Sequence, residues 1–567
     1  KYKFLSFIKL IKIWHLVLVL GWSYFLAIPL LQEFFWPIPD EERAIKLMNR
    51  LLKTIEVETL PLTRGKVDLE PSNLAEILPD IDLYPPLTPA RSRRAAVEIF
   101  SSPEKATVAE RGPDSDRWLV DMALAFNATR PEADGRPYDI VVRGLSSGLA
   151  LDYIISNKRV PDGYSPSNAI WGEALKAQGV PLELVAPRLA GNVAGLVINQ
   201  DKFPQFQKTY GAVTALSIAK ATNAGDFNLG YTNPLSSSTG INFLLRLLES
   251  FNPEDPLSEE AVAPFQSFQQ SVPVVAYTTL QMKEAAKSGF LDGFVFESQQ
   301  FQNSPDLKND YVFVPFGVRH DNPLYFTGRE GWRLKALRAF AEFCLRPENQ
   351  QLASQYGFNE LDDYQPKKAA LTGESLTLAQ KLYKDKKSGA REIVAVFVCD
   401  VSGSMAGQRL RLLKKSLSES FKVISSNNYL GLVLFSKRTQ LAAPIGQFNL
   451  NQRAIIAGAI ENTRGQGGTA MYDAILYAEK MIQDFKVDRP NANFAIFVLT
   501  DGESNSGLAY SDVYPVISGL KVPIHVIGYA TEMDSLRELA AINEAAAISA
   551  NTEDVVYQLR SLFNAEL

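Results

Sequence analysis

The last third of the chain is built from short, almost wholly apolar runs set between amphipathic ones. That alternation restricts the fold more than any other feature. REIVAVFVCD, YLGLVLFS, NFAIFVLT and VPIHVIGYA read as strands buried on both faces, because a strand with one wet face alternates polar and apolar residues. QRLRLLKKSLSESFKVIS and AMYDAILYAEKMI have the spacing of amphipathic helices, and further helices are expected from Asn451, over 532–542 and over 552–563. Buried strands alternating with helices imply a parallel sheet covered on both faces, with ligands collecting at the carboxyl ends of the strands. The same grammar starts at Ala95, where AAVEIFSS, DRWLVDMALAFNA, YDIVVRGLSSG and LALDYIIS give βαβα order. The expected fold class is therefore α/β, in two units over 95–364 and 391–567, joined by a polar, lysine-bearing linker over 365–390.

Three polar interruptions fall where strands of the second unit end. Asp400-Val401-Ser402-Gly403-Ser404 follows the first strand, Gly467-Gly468-Thr469 precedes a helix, and Thr500-Asp501-Gly502 follows NFAIFVLT. Alternate residues Asp400, Ser402 and Ser404 can point one way from a tight turn, and Thr469 and Asp501 reach the same sheet edge from neighbouring loops. Two carboxylates and three hydroxyls suit a hard octahedral cation such as Mg²⁺, with Mn²⁺ or Ca²⁺ as alternatives. Composition points the same way. With three histidines (His15, His320, His525) and two cysteines (Cys344, Cys399) in 567 residues, a His/Cys zinc cage or an iron–sulfur cluster is excluded, so any metal is held by oxygen. Each piece alone has a plainer reading as a turn. Gly465 to Thr469 is no phosphate loop, because no G-K-[ST] follows.

Together, DVSGSM, GGTAMYDA and VLTDGESNSG resemble the metal-ion-dependent adhesion site of von Willebrand factor type A domains, a resemblance that covers 391–567 with all five expected positions present. It implies a domain that binds and does not turn over a substrate. It also implies hydroxyls as direct metal ligands, aspartates acting mainly through water, and a protein partner that offers an acidic residue to the metal.

In the first unit, hydroxyls recur at strand ends: Ser101-Ser102, then Ser146-Ser147-Gly148. In TNPLSSSTGINFLLRLLESF, Ser237, Ser238 and Thr239 open an apolar helix. Free N–H groups there suit a carboxylate or small oxyanion, while plain N-capping is the simpler alternative. With PDGYSPSNAIW, GFVFESQQ and RPENQQLASQYGF, these pieces are similar to extracellular solute-binding proteins of the periplasmic-binding class over Ala95 to Leu361. The resemblance implies two α/β lobes with a solute between them, lined by Ser101, Ser102, Ser146, Ser147, Ser237, Ser238 and Thr239, and by Glu297 and Ser298 from the other lobe. The segment 103–116, PEKATVAERGPDSD, departs from the family in being unusually polar, which leaves open whether the cleft holds a solute.

At the other end of the chain, Lys1, Lys3, Lys9 and Lys12 form a basic stub (1–12) before the uncharged run 13–32, IWHLVLVLGWSYFLAIPLLQ. Such a run is long enough to span a bilayer, and basic flanks favour the cytoplasm. The expectation is a single-pass anchor with the globular units on the extracytoplasmic side. A cleaved leader and a soluble helix are the alternatives, and the bulky exit LLQEFFWPIP speaks against the first. Residues 33–94, rich in proline after a helical stretch at 41–55, are expected to be a spacer.

The net charge of −5 gives no footprint for nucleic acid. Both cysteines are expected to be free core thiols, and His525, inside VPIHVIGY, a core or edge histidine. No Ser/His/Asp or Cys/His set is available, so an enzyme is not expected. The leading expectation is a membrane-anchored binding protein, gripping a protein partner through its metal and a small, anionic solute through its two lobes. The alternative is a substrate-binding receptor for an ABC-type transporter with an accessory type A domain.

Overall fold

A computed structural model describes residues 38–566, apart from 71–72, 108–115, 273, 277–281, 283–285, 287–290, 367–372, 388–391, 503, 530–535, 537–538, 541–546 and 551–554. The expected basic stub and membrane span lie outside the described residues. Among the described residues no helix is long and apolar enough to cross a membrane.

The C-terminal unit is a seven-stranded sheet in the order 57–59, 439–447, 429–435, 393–400, 493–500, 524–529, 547–550. Its central strand Ile393–Asp400 is buried at every residue and pairs in parallel with Tyr429–Phe435 and Asn493–Thr500. One layer, with Phe397, Leu417 and Phe563, covers one face of the sheet, and another, with Val396, Ile475 and Val516, covers the other. Covering both faces is why these strands read as continuous apolar runs. Cys399 belongs to this core and Cys344 to that of the first unit, both as free, buried thiols.

The expected spacer is in large part docked on the two units. Helix Glu41–Leu51 is capped by Asp40, whose carboxylate accepts from Arg43 N at 2.9 Å, and it buries Ala44 and Met48 against Val513, Val516 and Ile517. The approach is close: a Cβ on Gly519 would lie 2.6 Å from Ala44 Cβ. Val57–Thr59 then adds an edge strand, parallel to Thr439–Leu441. Further on, the Pro79 carbonyl accepts from Tyr153 Oη at 2.8 Å and Thr88 Oγ1 donates to Ile140 O at 3.0 Å, which fastens the chain to the first unit. Prolines here break long elements without preventing docking. The expected linker likewise contributes helix Gly373–Lys386, whose Leu376, Ala379 and Tyr383 enter the core of the first unit.

That unit has two sheets. One holds 132–133, 136–144, 95–101, 163–165, 324–326 and 183–186, and the other 311–319, 193–199, 293–297, 229–232 and 274–276. The chain crosses from the first lobe to the second between Ala186 and Val193 and returns between Arg319 and Leu324. The two crossings are tied where His320 N donates to Asn192 O at 2.9 Å. Two α/β lobes joined by paired crossings place the strand-end hydroxyls between the lobes.

Candidate functional sites

In the C-terminal unit the three expected loops meet at one sheet edge. Asp400 ends the central strand fully buried, and its Oδ1 accepts from Ser402 N at 2.8 Å while Oδ2 accepts from Thr500 Oγ1 at 2.6 Å. Ser402 Oγ lies 3.0 Å from Ser404 Oγ, which donates to Asp501 Oδ1 at 2.8 Å. Four of the five expected residues thus form one continuous hydrogen-bonded chain. Thr469 is brought in by its loop: Gly467, at φ +81, turns the backbone so that its carbonyl accepts from Gly403 N at 3.0 Å. A left-handed φ is the reason a glycine stands there. Thr469 O and N are both bonded to Asn505, so the second loop also holds the third. Ser404 is exposed while Asp400 and Ser402 are buried, so the site opens outward on its hydroxyl side.

Burial raises the Asp400 carboxyl above the usual range and nearby Asp501 adds to it, although the Thr500 and Ser402 bonds pull it back. Two carboxylates held close beside three hydroxyls form a donor set that fits a hard divalent cation. Among the described residues no three His, Cys, Asp or Glu side chains gather to hold a metal. The sequence reading missed two residues. Arg409 Nη1 donates to Asp501 Oδ2 at 2.5 Å, and Asp473 Oδ1 accepts from Leu508 N at 2.7 Å, fastening the loop after Asp501. Asp473 stands inside GGTAMYDA, but nothing local marked it as a brace for a distant loop.

Between the lobes, Ser147, Ser238, Thr239 and Glu297 join one buried polar network, and Lys105, bonded to Ser102, lies within electrostatic reach of Glu297. Ser238 Oγ donates to Ser167 Oγ at 3.0 Å, lies 3.4 Å from Ser147 Oγ and accepts from Trp171 Nε1 at 2.8 Å. Glu297 accepts from Thr239 Oγ1 at 3.0 Å, His320 Nδ1 at 3.0 Å and Asn192 Nδ2 at 2.6 Å. Burial works to raise this carboxyl, but His320, Thr239 and Lys105 bring it below the usual range. His320 Nε2 lies 3.0 Å from Asn168 Nδ2 and 3.1 Å from Asn242 Nδ2. Two amide donors on Nε2 place the ring proton on Nδ1.

Ser101 and Ser298 are buried at the edges of this network. Ser146 and Ser237 act as helix caps, accepting from Leu149 N at 3.3 Å and Gly240 N at 3.2 Å. The helix N-terminus expected to hold an anion is thus capped by Ser237, and Thr239 reaches the internal carboxylate of Glu297. The polar departure after the first strand turns inward. Glu104 and Lys105 are buried, with Lys105 Nζ donating to Ser102 Oγ and, at 3.0 Å, to Ser165 O. Burial depresses this ammonium to about 8. In the C-terminal unit, His525 stacks on Phe497 at 4.8 Å, and burial lowers it to about 4.

Comparison with known proteins follows the same division. Residues 393–565 match the von Willebrand factor type A domain, and residues 113–359 the family of bacterial extracellular solute-binding proteins. The human voltage-dependent calcium channel subunit alpha-2/delta-2 is 28% identical over 110 residues, which are 19% of this chain and 10% of that protein. Inter-alpha-trypsin inhibitor heavy chain H3 of Mus musculus is 27% identical over 169 residues, 27% of this chain and 18% of that protein. The chain therefore spans only a small part of these curated relatives.

Among solved structures, a von Willebrand factor type A protein from Catenulispora acidiphila is 19% identical, covering 31% of this chain and 42% of that one at a TM-score of 0.29. The sulfate-binding protein of Mycobacterium tuberculosis is 15% identical, covering 47% and 88% at a TM-score of 0.35. The chain joins a solute-binding-type unit to a type A domain.

Proposed function

We propose that this chain is a membrane-anchored, extracytoplasmic binding protein that attaches a protein partner through a divalent cation at its type A domain and binds a small solute between the lobes of its first unit. The observation that carries the first half is the chain of contacts from Asp400 through Ser402 and Ser404 to Asp501, with Thr469 tied in by its loop. Ser402, Ser404 and Thr469 hold the ion by their hydroxyls, and Asp400 and Asp501 balance its charge. Mg²⁺ is the ion this all-oxygen set suits best. When bound, it supplies a positive centre to which a carboxylate of the partner attaches. The exposed Ser404 side is where that carboxylate arrives.

The membrane and the compartment rest on the lysine stub and the uncharged run 13–32. The reading of the chain as a binder, not an enzyme, is supported by His320. Its ring nitrogens face Glu297, Asn168 and Asn242, and no serine or cysteine is bonded to them among the described residues.

A pull-down by the full chain in detergent, with Mg²⁺ against chelator, tests the attachment. A partner retained only with the metal supports it, and a partner retained equally under chelation sinks it. Protease added to intact spheroplasts should digest the globular units, and full protection would place them on the wrong side.

A further inference from the structure

At the mouth of the interlobe cleft lies a cavity of about 280 Å³, and its walls come from both units. Ser146 and Gly148 of one lobe face Asn233 and Ser236 of the other, while Gln380 and Tyr557 come from the helices that follow. Nothing in the sequence reading placed Asp152, Gln380 or Tyr557 at a ligand site.

The charge of the cavity is one-sided. Asp152 is the one charged side chain among the described residues that line it. Tyr557 Oη donates to its Oδ2 at 2.8 Å, leaving Oδ1 to accept, and Arg560 also lies within electrostatic reach. Gln380 spends its Nε2 on Pro234 O at 3.1 Å, so its Oε1 is the end left to accept. Ser236 Oγ is buried with no hydrogen-bond partner among the described residues.

Deeper in the cleft, outside this cavity, the charges are mixed, with Lys105 buried beside Glu104. Gln299 Oε1 and Asn322 Oδ1 are buried acceptors without partners among the described residues. Their amide orientations are fixed, because Gln299 Nε2 donates to Asp116 Oδ1 and Tyr356 O, and Asn322 Nδ2 to Ala190 O and His320 O. The carboxylates of Glu104 and Glu297 are buried there too. An unpaired buried acceptor is costly, and only a donor relieves it.

We propose that the solute of the two-lobed unit is a small molecule rich in hydrogen-bond donors, ammonium or hydroxyl groups without net negative charge, seated in this cavity against Asp152, Ser236 and Gln380. The proposal rests on the reading of the cleft as a solute site. A sulfate or carboxylate offers acceptors alone, so it would leave Gln380 Oε1 and Asp152 Oδ1 without a donor and would meet a carboxylate. An amine or a polyol supplies what they lack, and the small volume limits it to a compact molecule.

The test is isothermal titration of the full chain in detergent, at fixed ionic strength, with two panels of probes. Ethanolamine, putrescine, myo-inositol and glucose form one, and sulfate, phosphate and acetate the other. A donor-rich probe is expected to bind, with affinity falling about tenfold in Ser236→Ala for a polyol and in Asp152→Asn for an amine. Both variants are close in size to the native residue, and the amide oxygen introduced by Asp152→Asn would still accept from Tyr557. Binding by an oxyanion instead, lost in Lys105→Met, would overturn the donor rule while leaving the cleft a solute site. If no probe of either panel binds, the solute reading falls together with this inference, and the unpaired oxygens face water.

Discussion

Arg409 sits on the rim of the proposed metal site, and its guanidinium lies 2.5 Å from Asp501 Oδ2. A cation entering the site has to share Asp501 with it. Arg409→Gln is therefore expected to tighten Mg²⁺ binding several-fold, as removal of a partly exposed ion pair worth about 1 kcal/mol would. Titration calorimetry checks this, and unchanged or weaker binding would show that the arginine does not compete. The five residues of the proposed site were legible as a group because the loops that carry them follow an apolar strand or precede a helix. Arg409 was not, since one arginine in a lysine- and arginine-bearing helix carries no mark of the residue 92 positions away that it will meet.

Glu479 is a second residue that the sequence conceals. It is fully buried in helix Met471–Lys486, neither carboxyl oxygen has a partner among the described residues, and burial holds its carboxyl well above the usual range. The folded chain thus keeps a proton that the unfolded chain releases. Its contribution to stability is full below the ordinary carboxylate value and is lost as pH rises from there towards the folded one. Glu479→Gln should raise the melting temperature at pH 8 and change it little at pH 4.5. An equal shift at both would show that the carboxyl is not protonated in the fold.

At the scale of elements, the helices and strands at the centre of each unit follow from periodicity, while the attached pieces do not. The apolar face of residues 41–55 predicted a helix correctly, but an amphipathic helix does not name the surface it covers. A strand of three residues such as Val57–Thr59 is too short to show a period. Proline-rich flanks then made the segment look like a spacer. Its docking predicts a cost: Met48→Ala should destabilise the type A domain by about 2–3 kcal/mol, as for other buried methionines. Urea unfolding of the full chain measures this. A variant as stable as the native chain would mean that helix Glu41–Leu51 rides on the domain without supporting it. For the same reason, a fragment starting at residue 391 lacks the edge strand and the helix that cover its sheet.

At the scale of the whole molecule, two α/β units share their connecting segments. Residues 38–70 dock on the second and 73–94 on the first, helix Gly373–Lys386 enters the core of the first, and Tyr557 from the last helix reaches Asp152 of the first at 2.8 Å. The sequence displayed the two units through their strand grammar. It could not display the contacts between them, which join residues hundreds of positions apart through single hydrogen bonds. Of the hydroxyls that stood out at strand ends, Ser147 lies 3.4 Å from Ser238, while Thr239 turns to Glu297. That Lys105 and Glu104 would turn inward was hidden, because charged residues after a strand usually face water.

The account depends most on the type A domain holding one divalent cation among Asp400, Ser402, Ser404, Thr469 and Asp501. Titration of Mg²⁺ into the full chain and into Asp501→Ala, with circular dichroism to confirm the fold, tests it directly. The account predicts one ion bound by the native chain and none by the variant, both equally folded. Equal binding by Asp501→Ala would contradict it.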